Sequence, residues 1–552
     1  MRIVLLKVDL LYRMGNVRMD PSAPGSPIFY YFGNMRERLL SLFFFFCVAL
    51  VSAQVPYVFQ HAFNGDAEVG SKFGWSLAAS TDWVAVGLPF SGPGNLENGA
   101  VAIYATADLA AGVYAPVQVV HENIGPVNDQ KFGATLACSN TLLAVSNCSK
   151  RATETYCNDA AEWVSLFQWN GTTWQELQQL QRPPWATGGT YGRALAVSNE
   201  VLAVGGTRSF NGTVTRDVVY LYTFQNGGFT SLPTDSVDGS PYNTSAADDL
   251  GHALALDGNT LLVGSAGDGE LGAGAGAVFI YDKDLGGNDQ WGLVRKLLAS
   301  NGRAEDRFGY DVGVNGTRAV VGAPGREQNG MTAGMAYVFD RDHGFSGNWG
   351  QVDSLAPLVP EEGRVFGATV AISGDRVAIG APPPPLGDNG IAEVFAPDAG
   401  GWTRVQRIDP YAEGHVNSEN RAANCIAFSG NSLLIGTPWA SITHPPGDPT
   451  GGVLRYTQDV VGINETARGS LRVWPVPFSE VLHVELAAGG GQGPLVVEVT
   501  DVLGRVVRTE RISASGNVLT LARAAMTTGY YQVHVSNVHG DVVSGPHRVI
   551  AQ

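Results

Sequence analysis

The side chains able to do chemistry are sparse in this chain and are not spaced as a linear site. His121-Glu122 opens like a His-Glu-x-x-His zinc motif but lacks the second histidine, and neither a Gly-x-Ser-x-Gly elbow nor a phosphate loop occurs. The remaining histidines are scattered, and His252 and His415 read as turn or surface residues rather than as bases. Cys148 and Cys157, separated by eight residues in a polar segment, could close a local disulfide in an oxidising compartment. Cys138 and Cys425 fall in strand-like runs and read as small buried hydrophobes. No Cys/His spacing suits zinc. Asp268 with Glu270, Asp282 with Asp284 and Asp340 with Asp342 could each share an ion, but Asp/Gly clusters of this kind are common in turns. With no catalytic constellation in any single segment, an active site would have to be assembled by the fold.

What, then, would position these residues? The chain has 552 residues, 44% hydrophobic and 16% charged, which excludes a disordered protein. It is too long for one ordinary core unless the architecture is a barrel, propeller or repeat. Its 70 glycines, without a collagen period, demand many turns. The net charge of −16 argues against nucleic acid and anionic membrane as partners. The apolar run Leu39 to Val51 is shorter than the roughly 20 residues of a transmembrane helix. Preceded by Met35-Arg36-Glu37-Arg38 and followed by Ser52-Ala53, it reads as a secretory signal over 35–53, cut after Ala53. Residues 1–34 are then an extension upstream of a mis-called start. No later segment is long and apolar enough to span a membrane as a helix.

From residue 54 to 460 one pattern recurs. Its first copy is Phe73-Gly74, then Trp83-Val84-Ala85-Val86-Gly87, then Gly99-Ala100-Val101-Ala102-Ile103-Tyr104. The equivalents of Phe73 are Phe132, Tyr191, Leu250, Phe308, Phe366 and Ala422, at spacings of 59, 59, 59, 58, 58 and 56 residues. Each copy holds three strand-like runs and a shorter fourth, as at Val117 to Val120, with no helical period. Seven four-stranded units predict an all-β, seven-bladed β-propeller. Pro56 to His61 is a fourth strand with no blade of its own, and the seventh copy ends after its third strand. The N-terminal strand is therefore expected to complete the seventh blade.

Phe-Gly followed by Val321-Gly322-Ala323-Pro324 or Ile379-Gly380-Ala381-Pro382 resembles the FG-GAP repeats of integrin-α-type propellers. Calcium-binding members of that family insert an Asp-x-Asp-x-Asp-Gly loop between the first two strands. Here the connections are short turns, such as Asp257-Gly258-Asn259 and Ser373-Gly374-Asp375. They supply too few oxygens for calcium, so no cofactor is expected.

After Val460 the period stops, and 461–472 reads as a linker. Short alternating strands over 473–552 suggest a small Ig-like β-sandwich. Pro475-Val476-Pro477-Phe478, Asp501-Val502-Leu503-Gly504-Arg505 and Gly529-Tyr530-Tyr531 resemble the C-terminal sorting domain of the type IX (Por) secretion system of Bacteroidetes. The family usually has Asn where Val476 stands, and a lysine-rich end where this chain has His547-Arg548 and Gln552. The resemblance implies passage through the periplasm and across the outer membrane by the type IX machinery. It also implies removal of the tail near the linker, leaving the propeller secreted or on the cell surface.

The expected function is binding or adhesion, with an extracellular glycan or protein as ligand. A polysaccharide-acting hydrolase or lyase on the propeller face, or a structural surface protein, are the alternatives. In a four-stranded blade, the strand 2–3 loops and blade-to-blade connections share one face of the disc. That face carries the long segments here, and with them Trp185, Tyr242, Tyr411 and Trp439, flat rings able to stack on a ligand.

Overall fold

A computed structural model describes residues 56–551 except 66–69, 93–97, 123–130, 148, 152–153, 157–162, 187–189, 211–213, 243–247, 288–289, 384–388, 399–400, 417–419, 441–449, 459–470, 475–480, 487–494, 502–505, 513–517, 523–528 and 538–541. The expected signal, the N-terminal extension and Cys148 and Cys157 lie outside the described residues.

Seven antiparallel sheets, six of four strands and one of five, follow one another through the repeat region. Their innermost strands are Ser76–Ala79, Thr135–Cys138, Leu195–Val197, Leu250–Asp257, Val312–Asn315, Thr369–Ser373 and Cys425–Ser429. Each touches its two neighbours and the seventh touches the first, so the ring closes as a seven-bladed propeller. The two-residue turns after these strands place glycines such as Gly316 and Gly374 at φ +61° and +54°, the positive-φ geometry that tight hairpins require.

The packing explains the motif. All seven residues at the Phe73 position are at most 1% exposed and lie between adjacent blades. Phe366 bridges in parallel to Gly334, at the start of the preceding blade's third strand, and a Cβ on Gly334 would fall 2.1 Å from the Phe366 carbonyl oxygen. The following glycine, Gly367 (φ +90°), turns its carbonyl toward Gly322 of the preceding blade, where a Cβ would come within 1.8 Å of it. The glycine of Val-Gly-Ala-Pro is thus absent of side chain because the next blade's backbone occupies that space. Side chains at the axis stitch neighbouring blades further. Ser76 Oγ donates to Gly133 O at 2.6 Å, Thr369 Oγ1 to Ala423 O at 3.0 Å, and Cys425 Sγ to Gly74 O at 3.1 Å.

The N-terminal strand Tyr57–Phe63 pairs antiparallel with Val453–Gln458 and forms the outer edge of the seventh blade, as the sequence predicts. A second clasp repeats along the rim. The backbone N–H of an aromatic residue opening an outer strand donates to a side chain on the preceding blade's outer strand: Trp174 to Gln118 Oε1 (2.8 Å), Trp291 to Asp235 Oδ2 (2.7 Å) and Trp402 to Asp353 Oδ2 (2.6 Å). Tyr57 makes the same bond to Gln406 Oε1, so it takes the place a tryptophan holds elsewhere.

Two expectations are corrected. Outer strands are not uniformly short: Trp174–Gln181, Gln290–Leu297 and Gly401–Ile408 have eight residues each, twice the length of Ser76–Ala79, because the blade fans outward and leaves its rim room to extend. The tail begins before residue 473, because Leu471–Trp474 already pairs with Val481–Leu486.

The tail holds two antiparallel sheets. One orders Leu471–Trp474, Val481–Leu486 and Val518–Ala522; the other orders Val506–Ile512, Leu495–Asp501, Gly529–Asn537 and Val542–Ala551. In the second sheet Val497, Val499, Tyr531 and Val533 are buried, which is the two-residue alternation of a sheet with one covered face.

Candidate binding faces of the propeller

A cavity lies at each end of the ring's axis. Where the innermost strands finish, a cavity of about 550 Å³ is lined largely by small and aliphatic residues such as Ala79, Ala137, Val197 and Ile372. Where they begin, on the face of the long connections, a cavity of about 270 Å³ is lined by Thr135, Arg193, His252, Tyr310, Asp311 and Asn424 among others.

Arg193 anchors that second mouth. Its Nη1 meets Asp249 Oδ1 at 3.1 Å, its Nη2 meets Asp217 Oδ1 at 3.3 Å, and its Nε donates to Gly251 O at 3.2 Å. Asp249, held at φ +58° at the entry of the fourth blade, also receives His252 Nδ1 at 2.8 Å through its other oxygen. The imidazole leans on Tyr310, with ring centroids 4.4 Å apart. His252 is therefore not a turn or surface residue: it is buried, and the Asp249 carboxylate fixes its orientation and tautomer. The sequence signal missed here is positional, since Arg193 and His252 each stand two residues after the aromatic position, where the strand faces the axis. His415 is half-buried and stacks on Phe59 with centroids 3.6 Å apart. Glu122 accepts hydrogen bonds from Trp163 Nε1 and Asn147 Nδ2, and burial raises its pKa against those bonds.

The four aromatics expected on the connection face lie between blades 2 and 3 (Trp185), 3 and 4 (Tyr242), 6 and 7 (Tyr411), and in the strand 2–3 connection of blade 7 (Trp439). They are spread around the disc rather than gathered. Trp185 and Tyr411 are 38% and 48% exposed. Trp439 is engaged by its own surroundings: Arg421 and Lys72 stand 4.1 and 4.6 Å from its ring, and Trp75 lies 5.4 Å away. Tyr242 sits edge-on to Phe279 at 5.9 Å, with Lys296 Nζ at 5.1 Å.

Two of the three carboxylate pairs meet cations of the chain. Lys296 Nζ lies 2.7 Å from Asp268 and 2.9 Å from Glu270, where an ion would sit. Asp340 faces Arg318 at 3.8 Å and Asp342 faces Arg341 at 3.5 Å. Asp282 has a raised pKa through burial and the neighbouring Asp284. Among the described residues no group of three or more His, Cys, Asp or Glu is arranged to hold a metal. Cys138 and Cys425 carry free thiols, and burial pushes the Cys138 pKa up to about 12.

In the tail, Asp501 ends one strand and Val506 begins its antiparallel neighbour, so the Asp-x-x-Gly-Arg motif spans a hairpin connection. Gly529 and Tyr530 open the strand beside it. Pro475, Pro477, Phe478, Gly504 and Arg505 lie outside the described residues. Family comparison agrees with this layout: residues 291–339 match the FG-GAP repeat, and residues 472–547 match the secretion system C-terminal sorting domain. The chain carries an FG-GAP repeat within its seven-bladed propeller and a type IX sorting domain as its tail. A tail of this kind directs the protein out of the cell or to its surface through the type IX system. No helix among the described residues is long and apolar enough to cross a membrane. None of the curated proteins compared with the chain matches it.

Proposed function

We propose that the propeller is a binding or adhesion module, carried outside by its sorting tail and presenting its ligand site on the face of the long connections. The observation that carries this reading is the build of the molecule. A closed, rigid ring holds exposed rings such as Trp185 and Tyr411 on variable-length connections, and the export signal is on a separate module. The tail's two sheets pack as a small Ig-like sandwich, which the buried alternation of Val497 and Val499 supports. The tail is cut from the propeller within the 461–470 segment once outside, and the propeller is released or attached to surface lipopolysaccharide. Binding of the purified protein to arrayed glycans and host-surface proteins tests the reading. Trp185→Ala or Tyr411→Ala should weaken binding without altering secretion or melting temperature, and undiminished binding in both variants overturns the placement.

A second reading, a polysaccharide-acting enzyme, is favoured by one feature, the buried Asp249–His252–Tyr310 group at the axial mouth. Polysaccharide cleavage that vanishes in His252→Ala would decide for it.

A further inference from the structure

One position of the repeat departs from its equivalents. The tryptophan that opens an outer strand is 3% exposed at Trp174, 9% at Trp291 and 3% at Trp349, but half-buried at Trp402. The first three fill the rim of their blade. Beside Trp402 a cavity of about 280 Å³ stands open instead, on the face opposite the long connections, between the fifth and sixth blades.

Its lining is mixed in a specific way. Trp402 and Val352 form an apolar wall that is continuous with the core between these blades. Arg318, Asp340, Asp342 and His343 form the polar wall. The polar groups are held in place by the fold. Arg318 is tied to Asp340 and to Asp375 of the next blade's turn, and Asp342 accepts the Gly347 N–H at 3.0 Å. The N–H bond and Arg341 keep the Asp342 carboxyl below the usual range, so it is an acceptor at neutral pH. His343 is exposed and can both donate and accept.

We infer that this cavity binds one neutral pyranose ring of an extracellular glycan. A sugar has an apolar C–H face, which suits an indole wall, and hydroxyls that both donate and accept, which suit carboxylate, guanidinium and imidazole together. The volume lies just below the roughly 300 Å³ at which small-molecule sites begin, which fits one ring rather than a chain. Charge selects against ionic ligands. The Arg318 guanidinium, 5.6 Å from the Trp402 ring centroid, sets a fixed positive charge beside the indole that disfavours a cation, and Asp340 and Asp342 repel an anion. The site is separate from the connection face, so it stands or falls independently of the binding site proposed there.

Saturation-transfer NMR on the full chain tests this, with the methyl glycosides of glucose, galactose, mannose and N-acetylglucosamine as probes and glucuronic acid and choline as charged comparisons. At least one neutral glycoside should bind, and Trp402→Ala and Asp342→Asn should each weaken it at least tenfold. Asp342 is exposed, so its variant keeps the fold even where Trp402→Ala loosens the rim; an unchanged melting curve for Asp342→Asn verifies this. Trp185→Ala, on the other face, should leave this binding unchanged. The inference is overturned if no neutral glycoside binds, if only glucuronic acid or choline binds, or if Asp342→Asn binds as wild type does. Loss of binding in Trp185→Ala alone would overturn it while supporting the connection-face site.

Discussion

Phe63→Ala should break the ring at its seam. Phe63 is on the N-terminal strand of the seventh blade, but its ring is buried against the first, with Tyr104 at 5.1 Å, Tyr114 at 5.4 Å and Phe73 at 6.1 Å. It is 4% exposed and shares its core with Val84, Ala102 and Val453, so it joins residues from both ends of the propeller. Truncating a buried phenylalanine costs about 3–5 kcal/mol through lost transfer energy and the cavity left behind. That is a large share of the roughly 5–15 kcal/mol by which domains are stable. Val58→Ala, on the same strand but 38% exposed, removes little buried area and should cost well under ~1 kcal/mol. The assay is urea unfolding followed by tryptophan fluorescence, comparing the two variants with wild type. Limited proteolysis should also cut the Phe63→Ala protein first near residue 57, where the loosened strand leaves its edge. If Phe63→Ala were no more destabilising than Val58→Ala, the N-terminal strand would not be what closes the ring.

Three further outcomes follow from the same packing. Gly322→Ala drives a methyl to 1.8 Å from the Gly367 carbonyl oxygen and should cost several kcal/mol or abolish folding, whereas Gly316→Ala meets nothing within 4 Å and should cost only about 1 kcal/mol for its positive φ; thermal melts of the two variants distinguish steric from conformational cost. Cys138, its thiol raised by burial to about 12, should carry far less thiolate at pH 8 in the folded state than when unfolded, so disulfide-exchange reagents should label this half-buried residue more slowly before denaturation than after it. Lys296→Met leaves the 4%-exposed Asp268 without its cation and should destabilise by about 3–5 kcal/mol, while chelator should leave the wild-type melting temperature unchanged.

Legibility in the sequence followed the physics of each feature. The blades were readable because most copies repeat the same backbone-level demands, with an aromatic between blades in five of the seven, a positive-φ glycine after the buried residue in all but the Ala422-Ala423 copy, and a glycine where a carbonyl crosses in all but the blade that has Ser146. Ring closure was readable because Tyr57 to His61 has the fourth-strand pattern and the seventh copy lacks one. The outer strands were underestimated because their signal is a tryptophan followed three residues later by Leu or Val (Trp174/Leu177, Trp291/Val294, Trp349/Val352, Trp402/Val405), a sparser pattern than Phe-Gly. The axial network escaped because Arg193, Asp217 and the Asp249–His252 segment are far apart in sequence, and only packing of the third blade against the fourth brings them together. The cavity at Trp402 escaped for a similar reason: its residues look like their equivalents in other blades, and only burial distinguishes them.

The most direct test of the account concerns the division of labour between propeller and tail. The full chain and a chain ending at residue 470 should be expressed in a Bacteroidetes host with an active type IX system, and each located by fractionation and surface protease accessibility. The account predicts the full chain outside the cell or on its surface, and the shortened chain folded, protease-resistant and retained in the periplasm. Export of the shortened chain at the level of the full one would contradict it.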